Sequence, residues 1–534
     1  MVRSLPDLVA GHGTVTVVSE SRGYQVETWS EIARIASMLV PRFRSAGVAP
    51  GIPVPITDVP TISMIATIIA LVQLGAAPFV VPAVTHARSR QRSIAQLLSR
   101  LSAVPSEVAF VDPITFDYLH SAGLVSSEAE SFGALQLVRM RSKSGVTSVL
   151  GNLVQFSSGT TGTPKPLEIS RQGLVRHIWK IIETADLNPV DETMVTWLPL
   201  SHDMGLVGGL LMPLVSGMNL VLAPPSAYVA DPSIWMRLVA EHGGTVTVGP
   251  GSAYGVCGRV LSLPSGSSLR SLRRAFIGAE PIRRDDVDRF NTGAARYGLS
   301  DKALYACYGL AEATLAVAFQ RGFDGVAFDI IEGGPFEGDG YAAAYTEGAE
   351  GQRRLEFAVV GRPLPETSWE VRAHGSICGQ RQVGELVVSG DTLYLRAVGG
   401  SEPPSEIRTG DLAYQCDLGL VVCGRIDDII FVGGRKIVPD SIERVVADML
   451  DVSPQKVAAV RSSDADADGV YVFVELRNEL ADQLVSQIRR RVNAELGIIV
   501  QAVNVVAAGA MPRTTSGKIR RRELASVSAT SSRS

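Results

Sequence analysis

Short apolar runs alternate with helical patterns along most of the chain. Four examples are residues 108–112, 220–222, 245–248 and 272–277, each short enough for a single strand. Strands that alternate with helices favour βαβ units, in which neighbouring strands pair in parallel. The pattern therefore predicts an α/β fold, with a large N-terminal domain of stacked, mixed βαβ sheets in which most strands are parallel.

The region between Asp58 and Arg88 carries no formal charge and needs testing as a membrane span. A glycine and two prolines interrupt it, and its continuous apolar part is shorter than the ~20 residues that a span needs. It instead predicts a buried helix over residues 61–74 followed by a strand over 78–81. We expect no integral membrane segment.

The last hundred residues have a pattern of their own. It predicts a small, mobile α+β C-terminal domain with helices at 441–449 and 484–496 and strands at 457–461, 470–475 and 501–506. The predicted domains are residues 1–424 and 425–534. Residues 322–351 and 398–406 follow no clear pattern and are expected to be loops or insertions.

Composition narrows the function classes. Hydrophobic residues make up 46% and charged residues 19% of the 534, as in a globular protein with a large core. The net charge of −4 gives no field that would attract nucleic acid. The five cysteines are odd in number and form no CxxC pair, which argues against a disulfide framework or a zinc site. Because the first twenty residues lack an apolar signal segment, we expect a cytoplasmic protein.

A segment rich in serine, threonine and glycine follows a strand-like run at residues 153–156. Glycine lets the backbone approach a ligand closely, and consecutive N–H groups in such a loop form a nest for phosphate oxygens. The spacing differs from GxxxxGK[ST], so this is no ordinary P-loop. By itself the segment suits either a phosphate site or a plain polar loop. Its candidate ligands are Ser157, Ser158, Gly159, Thr160, Thr161, Gly162 and Lys165.

Seven segments resemble motifs of the adenylate-forming superfamily and occur in that family's order. They are SSGTTGTPK at 157–165, WLPLSHDMG at 197–205, GAEP at 278–281, YGLAEAT at 308–314, RTGDL at 408–412, GRIDDIIFVGGRKIVPDSIE at 424–443 and PRTTSGK at 512–518. The superfamily comprises acyl-CoA synthetases, adenylation domains of nonribosomal peptide synthetases and luciferases. The HDMG and YGLAEAT forms are most similar to the fatty-acyl-AMP ligase and acyl-CoA ligase branch.

The resemblance implies an acyl-activating ligase. In that chemistry a carboxylate attacks the α-phosphorus of ATP to give acyl-AMP and pyrophosphate, and a thiol then takes the acyl group. The implied substrate is a large apolar carboxylic acid, with ATP, or ready-made acyl-AMP, and Mg²⁺ as cofactors. The implied thiol belongs either to CoA or to the phosphopantetheine of an acyl carrier protein.

The resemblance also implies roles for single residues. Lys518 would bridge the α-phosphate and the carboxylate, and His202 would lie between the carboxylate and the acyl tunnel. Glu312 would bind Mg²⁺ together with Thr160, and Asp427 would be the hinge about which the C-terminal domain rotates. The phosphates would contact the 157–165 segment. Adenine and ribose would contact Gly278, Ala279, Glu280, Tyr308, Gly309, Asp411 and Arg425.

Three features depart from the usual motifs. Pro166 follows Lys165 where glycine is usual, and proline has no N–H and a fixed φ. Arg171 stands where histidine is common, and residues 389–398 lack the usual GYW-like ending. These departures bear on the first half-reaction rather than on adenylate binding.

Two further regions are informative by resemblance. Residues 315–359 form a longer connection than a simple acyl-CoA synthetase has. They are similar to the insertion of fatty-acyl-AMP ligases, which is thought to limit domain movement and the use of CoA. The acid pocket is expected around Trp235 and residues 247–252 and 277–279.

Two other functions remain in competition with the complete ligase. Pro166 motivates a half-reaction specialist, which converts ready-made acyl-AMP into a thioester without efficient adenylation. The other is a non-catalytic relic that binds nucleotide or acyl groups. The presence of Lys518, Asp411, Arg425 and Glu312 together weighs against a relic.

Overall fold

The computed structural model of the chain describes residues 13–19, 23–85, 90–141, 149, 153–157, 164–320, 322, 324–347, 353–400, 404–461, 469–514 and 517–525. Within these residues no helix is long and apolar enough to cross a membrane.

The first part of the chain forms a five-stranded sheet with helices packed against it. Strands β3, β4 and β5 are parallel, and β7 and β6 extend the sheet antiparallel in the order β4-β3-β5-β7-β6. Helix α2 buries most of its side chains, begins after the N-cap Thr61 and ends at Gly75, whose φ is +81°. The uncharged segment is therefore a core helix followed by a strand, as predicted. The elements are β1 (Thr14–Val18), β2 (Tyr24–Thr28), α1 (Trp29–Ser45), β3 (Pro53–Thr57), α2 (Ile62–Leu74), β4 (Ala77–Val81), α3 (Arg90–Ala103), β5 (Val108–Val111), α4 (Pro113–Ser121), β6 (Val125–Phe132) and β7 (Leu135–Met140).

The middle of the chain builds the central parallel sheet, in the order β1-β11-β10-β12-β13-β14. Because the carboxyl ends of parallel strands meet at one edge, the segments after β10, β13 and β14 lie near one another. The elements are β8 (Leu153–Phe156), β9 (Pro166–Ile169), α5 (Arg171–Thr184), β10 (Thr193–Thr196), a π-helix (Met204–Leu211), α6 (Met212–Ser216), β11 (Asn219–Leu222), α7 (Pro225–Ala230), α8 (Ile234–His242), β12 (Val246–Pro250), α9 (Gly251–Val260), β13 (Arg274–Gly278), α10 (Arg284–Ala295) and β14 (Leu304–Gly309).

The next region continues this sheet with antiparallel strands, in the order β14-β15-β17-β23-β22-β20-β18-β19. The prediction of mainly parallel pairing is wrong here, since all these pairs are antiparallel. For β14–β15, β18–β19 and β22–β23 the reason is a short connection, which can join only antiparallel neighbours. The elements are β15 (Ala316–Phe319), β16 (Phe328–Glu332), α11 (Gly333–Gly338), β17 (Arg354–Pro363), β18 (Thr367–Ala373), β19 (Ser376–Ile377), β20 (Gly384–Gly390), β21 (Arg396–Ala397), β22 (Glu406–Cys416) and β23 (Gly419–Arg425).

Residues 322–351 were expected to form a loop, and this expectation is wrong for part of them. Strand β16 pairs antiparallel with β17, and Ile331 and Phe336 are buried in an apolar cluster with Val438. Glycine has a low helix propensity, so the sequence did not predict α11. The helix is stabilised by this burial rather than by its own propensity.

The C-terminal region agrees with its predicted pattern to within two residues at most boundaries. Its elements are β24 (Ile430–Val432), β25 (Arg435–Ile437), α12 (Pro439–Leu450), β26 (Val457–Arg461), β27 (Val470–Leu476), α13 (Asp482–Leu496) and β28 (Val500–Ala507). Its buried side chains, including Ile442, Val472 and Ile488, pack into a cluster separate from the main core.

Side-chain contacts hold this C-terminal region against the rest of the chain. They come from four separate N-terminal segments, so the region is seated over the carboxyl edge of the central sheet. The pairs are Arg283 with Asp440, Glu337 with Arg435, Glu280 with Gln455, and Arg92 with the carbonyl of Met511.

Candidate active site

The stem of the predicted phosphate loop is closed by two hydrogen bonds. Ser157 N donates to Lys165 O at 3.0 Å, and Lys165 N donates to Ser157 Oγ at 3.1 Å. The strand-like run 153–156 is strand β8, as predicted, and it pairs with β9. The other candidate ligands, Ser158, Gly159, Thr160, Thr161 and Gly162, lie outside the described residues.

Pro166 is the first residue of β9, a position where a strand tolerates proline. Val398 N donates to Pro166 O at 3.0 Å, just beyond β21. In a strand, the N–H and C=O of one residue point to the same side, and the next residue points both groups to the other side. The missing N–H of Pro166 therefore faces β21 and not the phosphate loop.

His202 and Asp203 lie where the segment after β10 enters the π-helix. His202 Nδ1 is 2.5 Å from Asp203 Oδ1, and Met204 N donates to the same oxygen at 2.8 Å. The first turn of the π-helix lies so close to the preceding segment that a Cβ on Gly205 would be 2.1 Å from Pro199 O. Burial acts to raise the pKa of Asp203, but His202, the Met204 N–H and the charge of Lys518 together hold that pKa below its usual value.

A second group joins β14, β22 and β23. Tyr308 Oη donates to Asp411 Oδ2, and Arg425 Nη1 donates to Asp411 Oδ1 at 3.1 Å. Arg425 Nη1 also donates to Thr409 O at 2.8 Å, and Thr409 Oγ1 accepts from Asp411 N at 3.0 Å. Burial raises the pKa of Asp411, while Arg425 opposes that rise. Each carboxylate oxygen has two lone pairs, so Asp411 retains acceptor capacity for ribose hydroxyls.

Glu312 lies in a 3-10 turn that directly follows β14. Burial raises the pKa of its carboxyl, and the negative charges of Asp203 and Asp411 raise it further against Arg425. Within the described ranges, no ion pair to Glu312 is formed, and no three His, Cys, Asp or Glu side chains are grouped to hold a metal. A lone carboxylate in a negative surrounding fits Mg²⁺, which takes one or two carboxylates and completes its shell with phosphate and water.

Lys518 reaches this edge from the C-terminal region. Its backbone is held by Thr514, which accepts from Lys518 N at 3.1 Å through Oγ1. The positive charge of Lys518 lowers the pKa of both Asp203 and Asp411, against the larger effect of burial. The structure therefore brings Lys518 together with residues that are about 100 and 300 positions away.

The GAEP segment begins at the end of β13. A Cβ on Gly278 would lie 2.6 Å from Cys307 O, so glycine is required for this close approach. Ala279 has a φ of +65°, a left-handed conformation that is rare outside glycine and is frequent at functional sites. Glu280 accepts from Ser252 N at 2.6 Å and from Gln455 Nε2 at 3.3 Å.

An apolar cavity of about 60 Å³ opens between these groups. Its lining includes the polar side chains of Asp203 and Tyr308 together with Ala279, Cys307 and Gly309, and the remaining lining residues are apolar. Of the expected pocket residues, Val248 and Ala279 line it, whereas Trp235 packs over Gly249 and donates to Thr247 Oγ1 at 2.7 Å. The apolar lining is Ile181, Met194, Met204, Gly208, Met212, Val248, Phe276, Leu315, Ala316 and Phe319.

Comparison with known proteins decides the family. The model of the family described as AMP-binding enzyme matches residues 7–396 of this chain. The chain belongs to the AMP-binding enzyme family. This AMP-binding enzyme is an acyl-activating, adenylate-forming ligase.

Relatives of this AMP-binding enzyme include two bacterial ligases. Rv1013 of Mycobacterium tuberculosis, named as a ligase, is 32% identical over 386 residues, which cover 69% of this chain and 70% of that protein. JamA of Moorena producens, a medium-chain-fatty-acid–[acyl-carrier-protein] ligase, is 29% identical over 69% of this chain and 66% of its own length.

Solved structures show the same fold. A chain from a study of fatty acyl-adenylate ligases of E. coli and L. pneumophila superposes with a TM-score of 0.86 at 23% identity, covering 99% of both chains. The L. pneumophila ligase in complex with acyl adenylate and pyrophosphate superposes with a TM-score of 0.70 at 21% identity, covering 98% of this chain and 96% of that one. The predicted α/β fold is therefore confirmed.

The hinge candidate Asp427 lies in the 3-10 turn Ile426–Asp428 that follows β23. Arg522 Nη2 is 2.9 Å from Asp427 Oδ1, and Arg521 Nη1 is 3.1 Å from Asp428 Oδ2. The basic segment after Lys518 is thus tied to the turn at which the two predicted domains join.

Asp203 and Thr409 are site residues to which sequence reasoning gave no role. Both lie inside segments that matched family motifs, HDMG and RTGDL, and that match was the available signal. Asp203 contacts the adjacent His202, and Thr409 contacts Arg425 across the β22–β23 pairing. The motifs alone do not specify these side-chain contacts.

Proposed function

We propose that this AMP-binding enzyme activates an apolar carboxylic acid as its acyl-AMP and then transfers the acyl group to a thiol. The observation that carries the proposal is the position of Lys518. Its charge acts on Asp203, which lines the apolar cavity, and on Asp411, at the proposed ribose site. A lysine at that junction is placed to act where the acid and the nucleotide meet.

In the proposed nucleotide site, the phosphates bind to Ser157, Lys165 and the loop of residues 158–162. Adenine lies between the segment 278–280 and the ring of Tyr308 beside Gly309. Asp411, held by Arg425, accepts the ribose hydroxyls.

Glu312, with Thr160, would hold Mg²⁺. Bound there, the ion supplies positive charge that offsets the charge of the phosphates.

The first reaction joins one carboxylate oxygen of the acid to the α-phosphorus of ATP. The bond from that phosphorus to the oxygen that bridges it to the β-phosphate breaks, and pyrophosphate leaves with the electron pair. Lys518 offsets the negative charge that develops on the carboxylate and α-phosphate oxygens, a role that suits a long side chain with a compact charge. His202, held by Asp203, orients the carboxylate at the mouth of the cavity.

The second reaction requires Lys518 to leave so that a thiol can approach the acyl carbon. We propose rotation at Asp427, which would break the contacts Arg283–Asp440 and Glu337–Arg435. Glu337 belongs to the insertion-like segment 315–359, so that segment opposes the rotation. The thiol would come from CoA or from a carrier-protein phosphopantetheine. Its sulfur bonds to the acyl carbon and its proton is released, while the bond from that carbon to the phosphate oxygen breaks and AMP leaves with the electron pair.

The experiment that tests the proposal is ATP–pyrophosphate exchange with Mg²⁺ over a panel of aliphatic and polycyclic acids. Acid-dependent exchange would support the adenylation step and identify the acid class. The purified acyl-AMP is then offered CoA or a phosphopantetheinylated carrier protein, and the thioester product names the acceptor. Failure of every acid to support exchange would contradict a complete ligase.

The half-reaction specialist was suggested by Pro166, and the strand position of that residue weakens the suggestion. Its missing N–H faces β21, so we expect Pro166→Gly to change the exchange rate by less than about threefold. A gain of tenfold or more in that variant would favour the specialist.

A cytoplasmic location stays a prediction. All five cysteines are unpaired, which suits a reducing compartment.

A further inference from the structure

Among the residues that the structure describes, Arg100 of α3 is the one arginine that is buried. It is only 2% exposed, although an arginine is expensive to bury unless its donors are satisfied. Its Nη1 donates to Val80 O at 2.9 Å and to Ser201 O at 3.0 Å. Ser201 directly precedes His202, so Arg100 ties the His202 segment to strand β4.

Asp58 holds the other side of the same residue. Ser201 N donates to Asp58 Oδ2 at 2.9 Å, and Asp58 itself follows β3. The backbone C=O of Ser201 is therefore held by Arg100 of α3, and its N–H is held by Asp58 at the end of β3. Charge-assisted hydrogen bonds of this kind are shorter and about twice as strong as neutral ones.

The guanidinium of Arg100 also touches the phosphate-loop stem. It lies over the ring of Phe156 at 5.0 Å, and Phe156 is the last residue of β8 before Ser157. Phe156 packs in turn against Phe79 of β4, with ring centroids 5.9 Å apart. One side chain thus contacts the residue before His202 and the residue before Ser157.

Arg100 and Asp58 also influence each other electrostatically. Burial lowers the pKa of Arg100 to about 10, against the opposing charge of Asp58, so Arg100 is charged at neutral pH. Burial raises the pKa of Asp58, while the Ser201 hydrogen bonds and Arg100 oppose that rise. Within the part of the chain that the structure describes, Arg100 Nε and Asp58 Oδ1 have no hydrogen-bond partner.

We propose that Arg100 and Asp58 are positioning residues that fix His202–Asp203 relative to Phe156 and Ser157, at the stem of the proposed phosphate site, for adenylation. The proposal rests on the function proposed above. Neither residue would touch substrate; both would act through the backbone of Ser201. Small displacements of reacting groups are costly, since a misplacement of about 1 Å can reduce a rate by about 100-fold.

The test measures kcat and KM separately in ATP–pyrophosphate exchange, alongside thermal unfolding. We expect Arg100→Met to lower kcat by tenfold or more per folded molecule, with a smaller change in the KM for ATP. Arg100→Lys keeps a charged donor and should restore part of kcat. The matched control is Arg90→Met, at the exposed start of the same helix, which should leave kcat unchanged.

A second variant keeps the proposal testable if Arg100→Met does not fold. Asp58→Leu removes the acceptor for Ser201 N and should also lower kcat, whereas Asp58→Asn keeps an acceptor oxygen and should lose less. Unchanged kcat in folded Arg100→Met or Asp58→Leu would overturn the proposal.

The route through His202 has its own test, a double-mutant cycle with His202→Ala. If Arg100 acts by placing His202, Arg100→Met should cost much less kcat in the His202→Ala background. Full additivity of the two losses would overturn that route.

Failure of the proposed function is distinguishable from failure of this positioning role. If the wild type shows no exchange with any acid, hydrogen–deuterium exchange of residues 197–205 replaces the kinetic readout. Faster exchange of these residues in Arg100→Met than in Arg90→Met would support the proposal that Arg100 positions this segment. Equal exchange rates would overturn the proposal.

Discussion

Arg283 Nε donates to Asp440 Oδ1 at 2.7 Å and joins the segment before α10 to the first turn of α12. The pair is largely buried, with side chains 13% and 23% exposed. Burial acts to raise the pKa of Asp440, but Arg283, Arg444 and Arg521 together hold that pKa below its usual value. This ion pair holds the C-terminal region in the position that brings Lys518 to the site.

Breaking this ion pair should therefore affect the rates of the two half-reactions differently. In Arg283→Met the buried Asp440 loses its partner across the junction. By analogy with broken buried ion pairs, this destabilises the arrangement in which Lys518 lies at the site by about 3 kcal/mol. We expect adenylation, measured by pyrophosphate exchange, to fall by tenfold or more, while conversion of supplied acyl-AMP to thioester is maintained or faster. Arg259→Met, on an exposed part of α9, is the control. Equal losses in both half-reactions would count against a closing role.

Lys518→Ala should remove most of the adenylation activity. Loss of one preorganised charge at a reacting oxygen commonly costs about 100- to 1000-fold in kcat, and Lys518 is the residue whose charge acts on both Asp203 and Asp411. Exchange kinetics measure the effect, with Lys456→Ala at an exposed position of the same region as the control. A variant that retained a tenth or more of wild-type kcat would show that Lys518 is not essential.

Gly208 should control which acids fit the cavity. It lines the cavity from the π-helix, and a Cβ there would lie 3.4 Å from Leu315 Cδ2, so a larger side chain fills the space. We expect Gly208→Val to raise the KM for the preferred acid by tenfold or more while the KM for ATP stays within about twofold. The control is Gly334→Val, where a Cβ meets open space. An unchanged acid preference in folded Gly208→Val would place the acid elsewhere.

His177 should make stability depend on pH. The side chain is fully buried in α5, and its Nε2 accepts from Ala316 N at 3.0 Å. Burial, and then the charge of Lys180, lower its pKa to about 3. A buried base with a depressed pKa is neutral in the folded state, so the unfolded state binds the extra proton as pH falls below about 6.5.

The free energy of unfolding should thus decrease by about 2 kcal/mol between pH 6.5 and 5 through His177 alone. His177→Gln lacks this titration but can still accept a hydrogen bond. Urea unfolding of both proteins at pH 7 and 5 compares them directly. If both lose the same stability over that interval, His177 is not the group responsible.

Local patterns were sufficient for several parts of this fold. The helix Ile62–Leu74 has an N-cap threonine, an apolar body and a terminal glycine, and the C-terminal strands and helices carry the periods of their own secondary structure. These signals lie within a few residues of one another, so the chain needs no distant contact to reveal them. The order of seven motifs likewise identified the family and selected the segments that meet at the site.

Distant pairing decided the rest. Tyr308 donates to Asp411, 103 positions away, and Arg100 donates to Ser201, 101 positions away. The fold brings together elements that are not adjacent in sequence. Strand β16 and helix α11 gain their stability from pairing with β17 and from burial in a cluster with Val438, rather than from propensity.

By itself, therefore, the sequence determined those helices and strands that have a strong local periodicity, and it determined the family's chemistry. Both depend on short runs of residues. Only the tertiary structure decided which charges face one another, that the missing donor of Pro166 faces β21, and how Arg100 joins two segments of the site. Electrostatic and packing energies depend on distances in space, and a single sequence does not contain those distances.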